Sequence, residues 1–251
     1  MSRTISIPRE KFHPPDHSFP LAPSSKGATA TEDAFDEETL ALLIESLKEL
    51  SQKRSRHHIQ SAIMRLVDLT AAIILLALLS PILVIVAIAI RLESRGPVFF
   101  LQDRRGQLFN SFKIWKFRSM TYGVPDPSSR YETKSTDVRI TRVGHFIRRT
   151  SIDELPQLFN VIVGNMSLVG PRPLVEWEST EAAKTHGERY LVRPGITGLS
   201  QIEVRNAASF EVRLDKDIEY VERKSLWLDL MILARTPWKV LTSKMIYPDS
   251  D

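Results

Sequence analysis

Leu40, Leu43, Ile44, Leu47 and Leu50 recur at helical spacing and fall on one face of the segment 39–52. That spacing predicts an amphipathic helix, with a linker completing the segment 39–58. Its apolar face has three candidate counterparts: the rest of the chain, a partner, or lipid. Residues 1–38 have no such period. Pro, Ser, Thr and scattered charges dominate them, which predicts a disordered tail. Residues 71–90 read AAIILLALLSPILVIVAIAI, twenty positions without a charge, close to the minimum that crosses a bilayer. Ser80 and Pro81 interrupt the middle of this run. Proline removes a backbone donor and clashes with the preceding turn, so a kink is expected. Lys53, Arg54, Arg56 and Arg65 precede the run; Arg91, Arg95, Arg104 and Arg105 follow it. Lys and Arg concentrate on the cytoplasmic side of membranes. A single span leaves one basic flank outside. A helix that enters, breaks and returns keeps both flanks inside, with the Ser80 hydroxyl satisfying backbone groups freed at the break. On these grounds the two topologies stand level.

Further along, residues 98–102 and 109–117 favour strands and are separated by a turn containing Gly106, which predicts a β-hairpin. Residues 121–137 read as a polar loop. Helical signals resume near Thr141 and continue past Asn160. Pro171, Pro173, Pro194, Gly195 and Gly198 punctuate the next stretch. Residues 208–223 predict a charged helix. The apolar segment 225–241 carries Trp227 and Trp238, which suit a lipid–water interface; an interfacial helix and a buried core helix both fit it. No internal repeat is present.

Composition narrows the chemistry. The 251 residues contain no cysteine, which excludes disulfides, thiol nucleophiles and cysteine-based zinc sites. The six histidines show no ligand spacing, so a histidine metal site is not expected. The N-terminus lacks the apolar core of a cleavable signal peptide. The net charge is +4, unevenly spread. Residues 1–60 hold eight Lys/Arg and nine Asp/Glu, whereas residues 61–120 hold eight and three. The basic excess thus follows the apolar run and favours a membrane surface over nucleic acid. Neither helix-turn-helix spacing nor an aromatic–basic stacking pattern appears, so no nucleic acid partner is expected.

The candidate chemistry centres on RRTSIDELPQ, residues 148–157. Ser151 followed by Glu154 fits a capping box, which by itself explains the adjacent carboxylates Asp153 and Glu154 as a helix start. A helix start also attracts anions. Arg139, Arg142, Arg148 and Arg149 precede the pair and Arg172 follows it, and arginine binds phosphate through two parallel hydrogen bonds. Rossmann and Walker glycine patterns are absent. Gly164, Gly170, Gly195 and Gly198 read as turn residues.

Several segments together resemble the bacterial sugar transferase family, the monotopic phosphoglycosyl transferases, in their small-core form. They are Arg65-Leu-Val-Asp68, Ser80-Pro81, SRGPVFFLQDRRG (94–106), KFRSM (116–120), ITRVGHFIRRTSIDELPQLFNVIVGNMSLVGPRP (140–173) and VRPGITGLSQIEVRN (192–206). The resemblance covers about residues 60–241 and leaves the N-terminal extension outside it.

The resemblance implies a fold that is mainly α with a small β-hairpin. A re-entrant membrane helix–break–helix at 59–93, breaking at Ser80 and Pro81, would precede a cytoplasmic catalytic domain at 94–245 with interfacial amphipathic helices. It implies a monotopic protein at the cytoplasmic face of the bacterial inner membrane. Asp153 and Glu154 would be catalytic, with Asp153 the nucleophile and a metal ligand. Arg148, Arg172, Asp229, Lys116 and Arg118 would bind substrate. The implied partners are a UDP-sugar, undecaprenyl phosphate and membrane lipid, with Mg2+ as cofactor, and a homodimer is a reasonable state. The competing expectation is a non-catalytic membrane scaffold or regulator of a polysaccharide assembly complex. A polytopic transferase acting without a covalent step would need several spans, and the chain has one strong apolar run.

Overall fold

The computed structural model describes residues 37–54, 58–123, 137–204 and 209–242. The tail 1–38 lies outside them except at its end, where Glu37 and Glu38 already belong to helix α1 (Glu37–Arg54). Most of the polar loop 121–137 also lies outside them. Among the three counterparts of the α1 apolar face, the chain itself is the one observed. Leu43 and Leu47 are buried with Phe109, Ala183, Tyr190 and Leu191, while Leu40, Ile44 and Leu50 pack at the margin. Burying two leucines stabilises that seat by roughly 3–6 kcal/mol.

The apolar run lies within one 36-residue helix, α2 (His58–Glu93), with Pro81 inside it. Helical structure continues through Ser80 and Pro81, where the sequence suggested a break. Pro81 has no N–H to offer the Ala77 carbonyl four residues back. Ser80 Oγ donates to that same carbonyl at 2.8 Å and replaces the missing bond. Both halves of α2 are fastened to the rest of the fold. In the first half, Asp68 accepts hydrogen bonds from Ser167 Oγ at 2.7 Å and from the Leu168 amide at 3.0 Å. Arg65 donates to the Ile162 carbonyl at 3.1 Å. In the second half, Val86 and Ile90 are buried against Phe117 and Ile147. Between these regions Ile74, Leu78 and Ile85 are each more than half exposed.

The predicted hairpin forms: β1 (Phe99–Arg105) pairs antiparallel with β2 (Ser111–Phe117), in a register that sets Phe100 opposite Lys116 and Arg105 opposite Ser111. Gly106 stands at the turn, but the unusual backbone belongs to Leu108 and Phe109, at φ 53° and 61°. A helix α3 (Arg142–Arg149) follows, capped by the Thr141 hydroxyl and by Glu93, whose carboxylate accepts from the Arg142 and Val143 amides at 2.7 and 3.0 Å. An anion at a helix N-terminus is stabilising. Helix α4 (Gln157–Val163) is tied to β2 by Asn160, which accepts from the Trp115 amide and donates to the Lys113 carbonyl.

A second, parallel pair of strands, β3 (Ser167–Val169) and β4 (Gly195–Thr197), adds to the expected hairpin. It was hidden in the Gly- and Pro-punctuated stretch. Gly195 is more than a turn residue there: a Cβ on it would lie 2.0 Å from the Gly170 amide nitrogen. Helices α5 (Glu176–His186), α6 (Leu199–Glu203), α7 (Phe210–Arg223) and α8 (Leu226–Thr242) complete the fold. α8 satisfies both sequence readings. Leu228 and Ile232 enter the main core with Leu158, Met166, Leu199 and Tyr220. Trp227 and Trp238 on other faces are 78% and 72% exposed.

Candidate active site

The helix expected to run from Thr141 past Asn160 is divided. α3 ends at Arg149, and Thr150 Oγ1 donates back to the Phe146 carbonyl at 2.8 Å. Ser151 then takes a left-handed backbone at φ 57°, and Ile152–Glu154 form one 3-10 turn before Pro156 opens α4. The expected capping box is absent. Ser151 makes no side-chain cap bond, and the Glu154 carboxylate is engaged elsewhere. Asp153 and Glu154 thus occupy an elbow between two helices.

Glu154 is held by two cations. Its Oε1 accepts from Lys116 Nζ at 3.0 Å and from Arg172 Nη2 at 2.9 Å. β2 supplies the lysine; the loop after β3 supplies the arginine. The side chains of Lys116 and Glu154 are nearly buried, while Arg172 remains 45% exposed. Burial by itself would raise the Glu154 carboxyl. The charges and hydrogen bonds of Arg172 and Lys116 outweigh it and hold that carboxyl well below the usual carboxylate range.

Asp153 is held differently. Its side chain makes no hydrogen bond or ion pair among the described residues. Burial, and then the Glu154 charge, push its carboxyl from the ordinary 3.8 up to about 6, against the pull of Lys116, Arg148 and Arg172. Neighbouring carboxylates with pKa values driven apart are characteristic of acid–base and nucleophilic sites.

Of the other residues marked in the sequence, Arg148 stands at the end of α3, with its charge acting on Asp153. Arg118 is committed elsewhere. It is buried and donates to the Ser94 carbonyl and hydroxyl at 2.8 and 2.9 Å, closing the C-terminal end of α2. Asp229 accepts from the Tyr220 hydroxyl at 2.8 Å, where α7 meets α8. Burial raises its carboxyl, with Lys224 opposing. Neither Arg118 nor Asp229 contacts the carboxylate pair. Ser80 and Pro81 lie mid-way along α2, as described above.

Sequence reasoning passed over Arg104, which it treated only as part of a basic flank. Burial, then the neighbouring Arg172 charge, lower its guanidinium to about 10, with Glu178 and Glu154 opposing. Arg104 therefore adds a further cation near the pair. The hairpin contained the signal. Lys116 faces Phe100, and strand alternation puts Phe100, Gln102 and Arg104 on that same face. Arg189 was also passed over. It is buried on Asp217 at 2.8 Å and donates to the Arg172 carbonyl at 2.7 Å.

A carboxylate pair ringed by lysine and arginine, on a body carrying one long exposed apolar helix, is the layout of a membrane-associated enzyme of phosphate chemistry. The profile of the bacterial sugar transferase family matches residues 59–243, and the chain belongs to that family. It is 45% identical over 183 residues to an undecaprenyl-phosphate glucose phosphotransferase of Komagataeibacter xylinus, covering 68% of this chain and 34% of that protein. It is 42% identical over 199 residues to the UDP-glucose:undecaprenyl-phosphate glucose-1-phosphate transferase of Klebsiella pneumoniae, covering 73% and 41%. An uncharacterized sugar transferase of Bacillus subtilis, EpsL, is 45% identical over 182 residues, covering 72% and 89%. The chain thus spans well under half the length of the first two relatives.

Proposed function

We propose that the protein transfers a sugar 1-phosphate from a UDP-sugar to undecaprenyl phosphate through a covalent aspartyl-phosphosugar intermediate. The observation that carries this reading is the division between the two carboxylates. Glu154 is fixed as an anion by Lys116 and Arg172. Asp153 has no hydrogen bond or ion pair among the described residues, and its carboxyl is raised to about 6, so it is ionised at neutral pH and more basic than an ordinary aspartate. The names of the Komagataeibacter and Klebsiella relatives supply the reactants, and glucose is the first sugar to try.

An Asp153 oxygen attacks the sugar-bearing phosphorus. The new O–P bond forms as the bond to UMP breaks, and UMP leaves with the electron pair. An oxygen of undecaprenyl phosphate then attacks the same phosphorus. The Asp153–phosphorus bond breaks, the lipid diphosphate sugar departs, and the carboxylate is restored. Covalent catalysis of this kind divides one difficult displacement into two. Arg172, Arg148 and Arg104 offset the phosphate charge during both. Glu154 keeps Arg172 and Lys116 aimed at the reacting group.

The donor set suits Mg2+. No three His, Asp or Glu side chains cluster among the described residues. Mg2+ typically takes one or two carboxylates and completes its shell with substrate phosphates and water. Asp153 offers a carboxylate that has no partner among the described residues. When bound, the ion would neutralise diphosphate charge.

The monotopic topology draws support from the two ends of α2. Asp68 bonds to β3 and Glu93 bonds to α3, both parts of the same body. Twenty-five residues separate them, about 37 Å along a straight helix. A helix crossing the ~30 Å hydrocarbon layer cannot keep both ends on a body lying to one side. We therefore read α2 as entering and leaving through one face, with the exposed Trp227 and Trp238 of α8 at headgroup depth. The basic flanks favour the cytoplasmic side of the inner membrane for that face.

Incubation with radiolabelled UDP-glucose, without lipid acceptor, tests the chemistry. UMP release and a labelled protein band are expected, and both vanish in Asp153→Asn. Full turnover by that variant would sink the nucleophile assignment.

A further inference from the structure

Helix α1 lies outside the family-matched residues 59–243, yet it packs on the supports of the active-site loop. Leu43 and Leu47 are each 3% exposed, in one cluster with Phe109, Tyr190 and Leu191. Phe109 meets Tyr190 edge to face, with ring centroids 4.8 Å apart. Phe109 and its neighbour Leu108 keep left-handed backbones, which bulky residues adopt only where their surroundings hold them. Burial of Phe109 under α1 supplies that hold. Behind Tyr190, the Arg189 guanidinium stands over the ring, 5.2 Å from its centroid. Arg189 is anchored by Asp217, which also accepts from Ser200 Oγ at 2.7 Å. Arg189 Nη2 then donates to the backbone carbonyl of Arg172 at 2.7 Å. Arg172 is the residue that reaches Glu154.

We propose that α1 is a brace for the active site: its Leu43–Leu47 face fixes Tyr190 and Arg189, and Arg189 acts as a positioning residue that keeps Arg172 aimed at Glu154. This rests on the catalytic reading of Arg172 and Glu154. The N-terminal extension thereby governs turnover from outside the catalytic core, and whatever displaces α1 would lower activity. The buried Arg189–Asp217 pair fits the role. An ion pair removed from water contributes little net stability. A fixed pair does hold a loop carbonyl in one place.

The test uses the full chain in phospholipid nanodiscs, comparing wild type with Leu43→Ala/Leu47→Ala. Leu42→Ala is the control, since Leu42 is 58% exposed on the outer face of α1. Amide hydrogen exchange is followed at Arg105 and Gly195, whose amides donate to the Leu174 and Pro171 carbonyls on either side of Arg172, and UMP release is followed with UDP-glucose. The double variant should exchange faster at those two amides while α4 and α7 keep their protection. Its kcat/KM should fall about tenfold, the scale expected for a misplaced charge-bearing group. Leu43→Met/Leu47→Met, which conserves volume, should restore both readouts. In an Arg172→Ala background the α1 substitutions should add less than a twofold further loss, because both act on one element. Unchanged exchange at Arg105 and Gly195 overturns the brace. So does faster exchange throughout α4 and α7, and so does a fully additive activity loss. If wild type releases no UMP from any UDP-sugar, the catalytic reading falls, and the exchange measurement still decides the brace.

Discussion

Lys116 and Arg172 converge on one oxygen of Glu154, at 3.0 and 2.9 Å. The carboxylate they fix as an anion is the one that, after burial, raises its neighbour Asp153 to about 6. Two cations bond to Glu154, while Asp153 has no hydrogen bond or ion pair among the described residues, and adjacent carboxylates thereby take opposite properties.

The first prediction is an acid limb. Below about pH 6 Asp153 is protonated and cannot attack phosphorus, so kcat/KM for UMP release should fall tenfold per pH unit there. Arg172 and Lys116 both lower the Asp153 carboxyl. Arg172→Ala should therefore move the limb to higher pH, besides reducing the rate. A pH profile of each protein checks this, and a limb that stays in place in Arg172→Ala speaks against Asp153 as its origin.

The second prediction concerns stability. The folded-state pKa of Asp153, about 6, lies above the ordinary 3.8, so folding disfavours its ionised form. The penalty is fully present above pH 6, shrinks as pH falls through 6, and is gone below 3.8. At pH 7.5 Asp153→Asn should stabilise the protein by about 1–3 kcal/mol. That corresponds to a rise in Tm of about 3–8 °C. At about pH 4 the two proteins should melt together, given the ordinary aspartate value. A variant less stable than wild type at pH 7.5 would show that Asp153 has a stabilising partner.

Local pattern carried much of this fold. The period of α1, the apolar run of α2, the alternation of the hairpin and the charged face of α7 each depend on neighbouring residues. The elbow does not. Ser151 at φ 57° and the turn after it are set by tertiary surroundings, so the local pattern of Ser151 and Glu154 read instead as the capping box of a helix start. Three-residue strands such as β3 and β4 have too few positions to show alternation, and Gly195 is required by a backbone 25 residues away in sequence. The site was legible as a charge pattern around Asp153 and Glu154. Its pairings were not: Arg118 and Lys116 sit two apart on one segment, yet one closes α2 and the other binds Glu154.

The third prediction tests the fastening of α2. Asp68 is nearly buried and accepts from both Ser167 Oγ and the Leu168 amide. Asp68→Ala leaves two buried donors unsatisfied, a loss of about 2–6 kcal/mol at roughly 1–3 kcal/mol per group. Asp68→Asn keeps one acceptor oxygen and should cost about half as much. Thermal unfolding in detergent measures both. Equal losses for the two variants would mean that the charge of Asp68 matters more than its hydrogen bonds.

The fourth prediction separates the two topologies of α2. The natural chain has no cysteine, so single introduced thiols report without background. Ala62→Cys and Arg95→Cys flank the apolar run at exposed or half-exposed positions. If the Asp68 and Glu93 attachments hold in the membrane, both thiols lie on the cytoplasmic side. A membrane-impermeant maleimide should then label neither in intact cells and both in inverted vesicles. Leu78→Cys, 71% exposed in the middle of the run, should resist the reagent from either side because lipid covers it. Labelling of position 62 in intact cells with position 95 protected would make α2 a true span, and the contacts of Asp68 with Ser167 and Leu168 would then have to break on insertion.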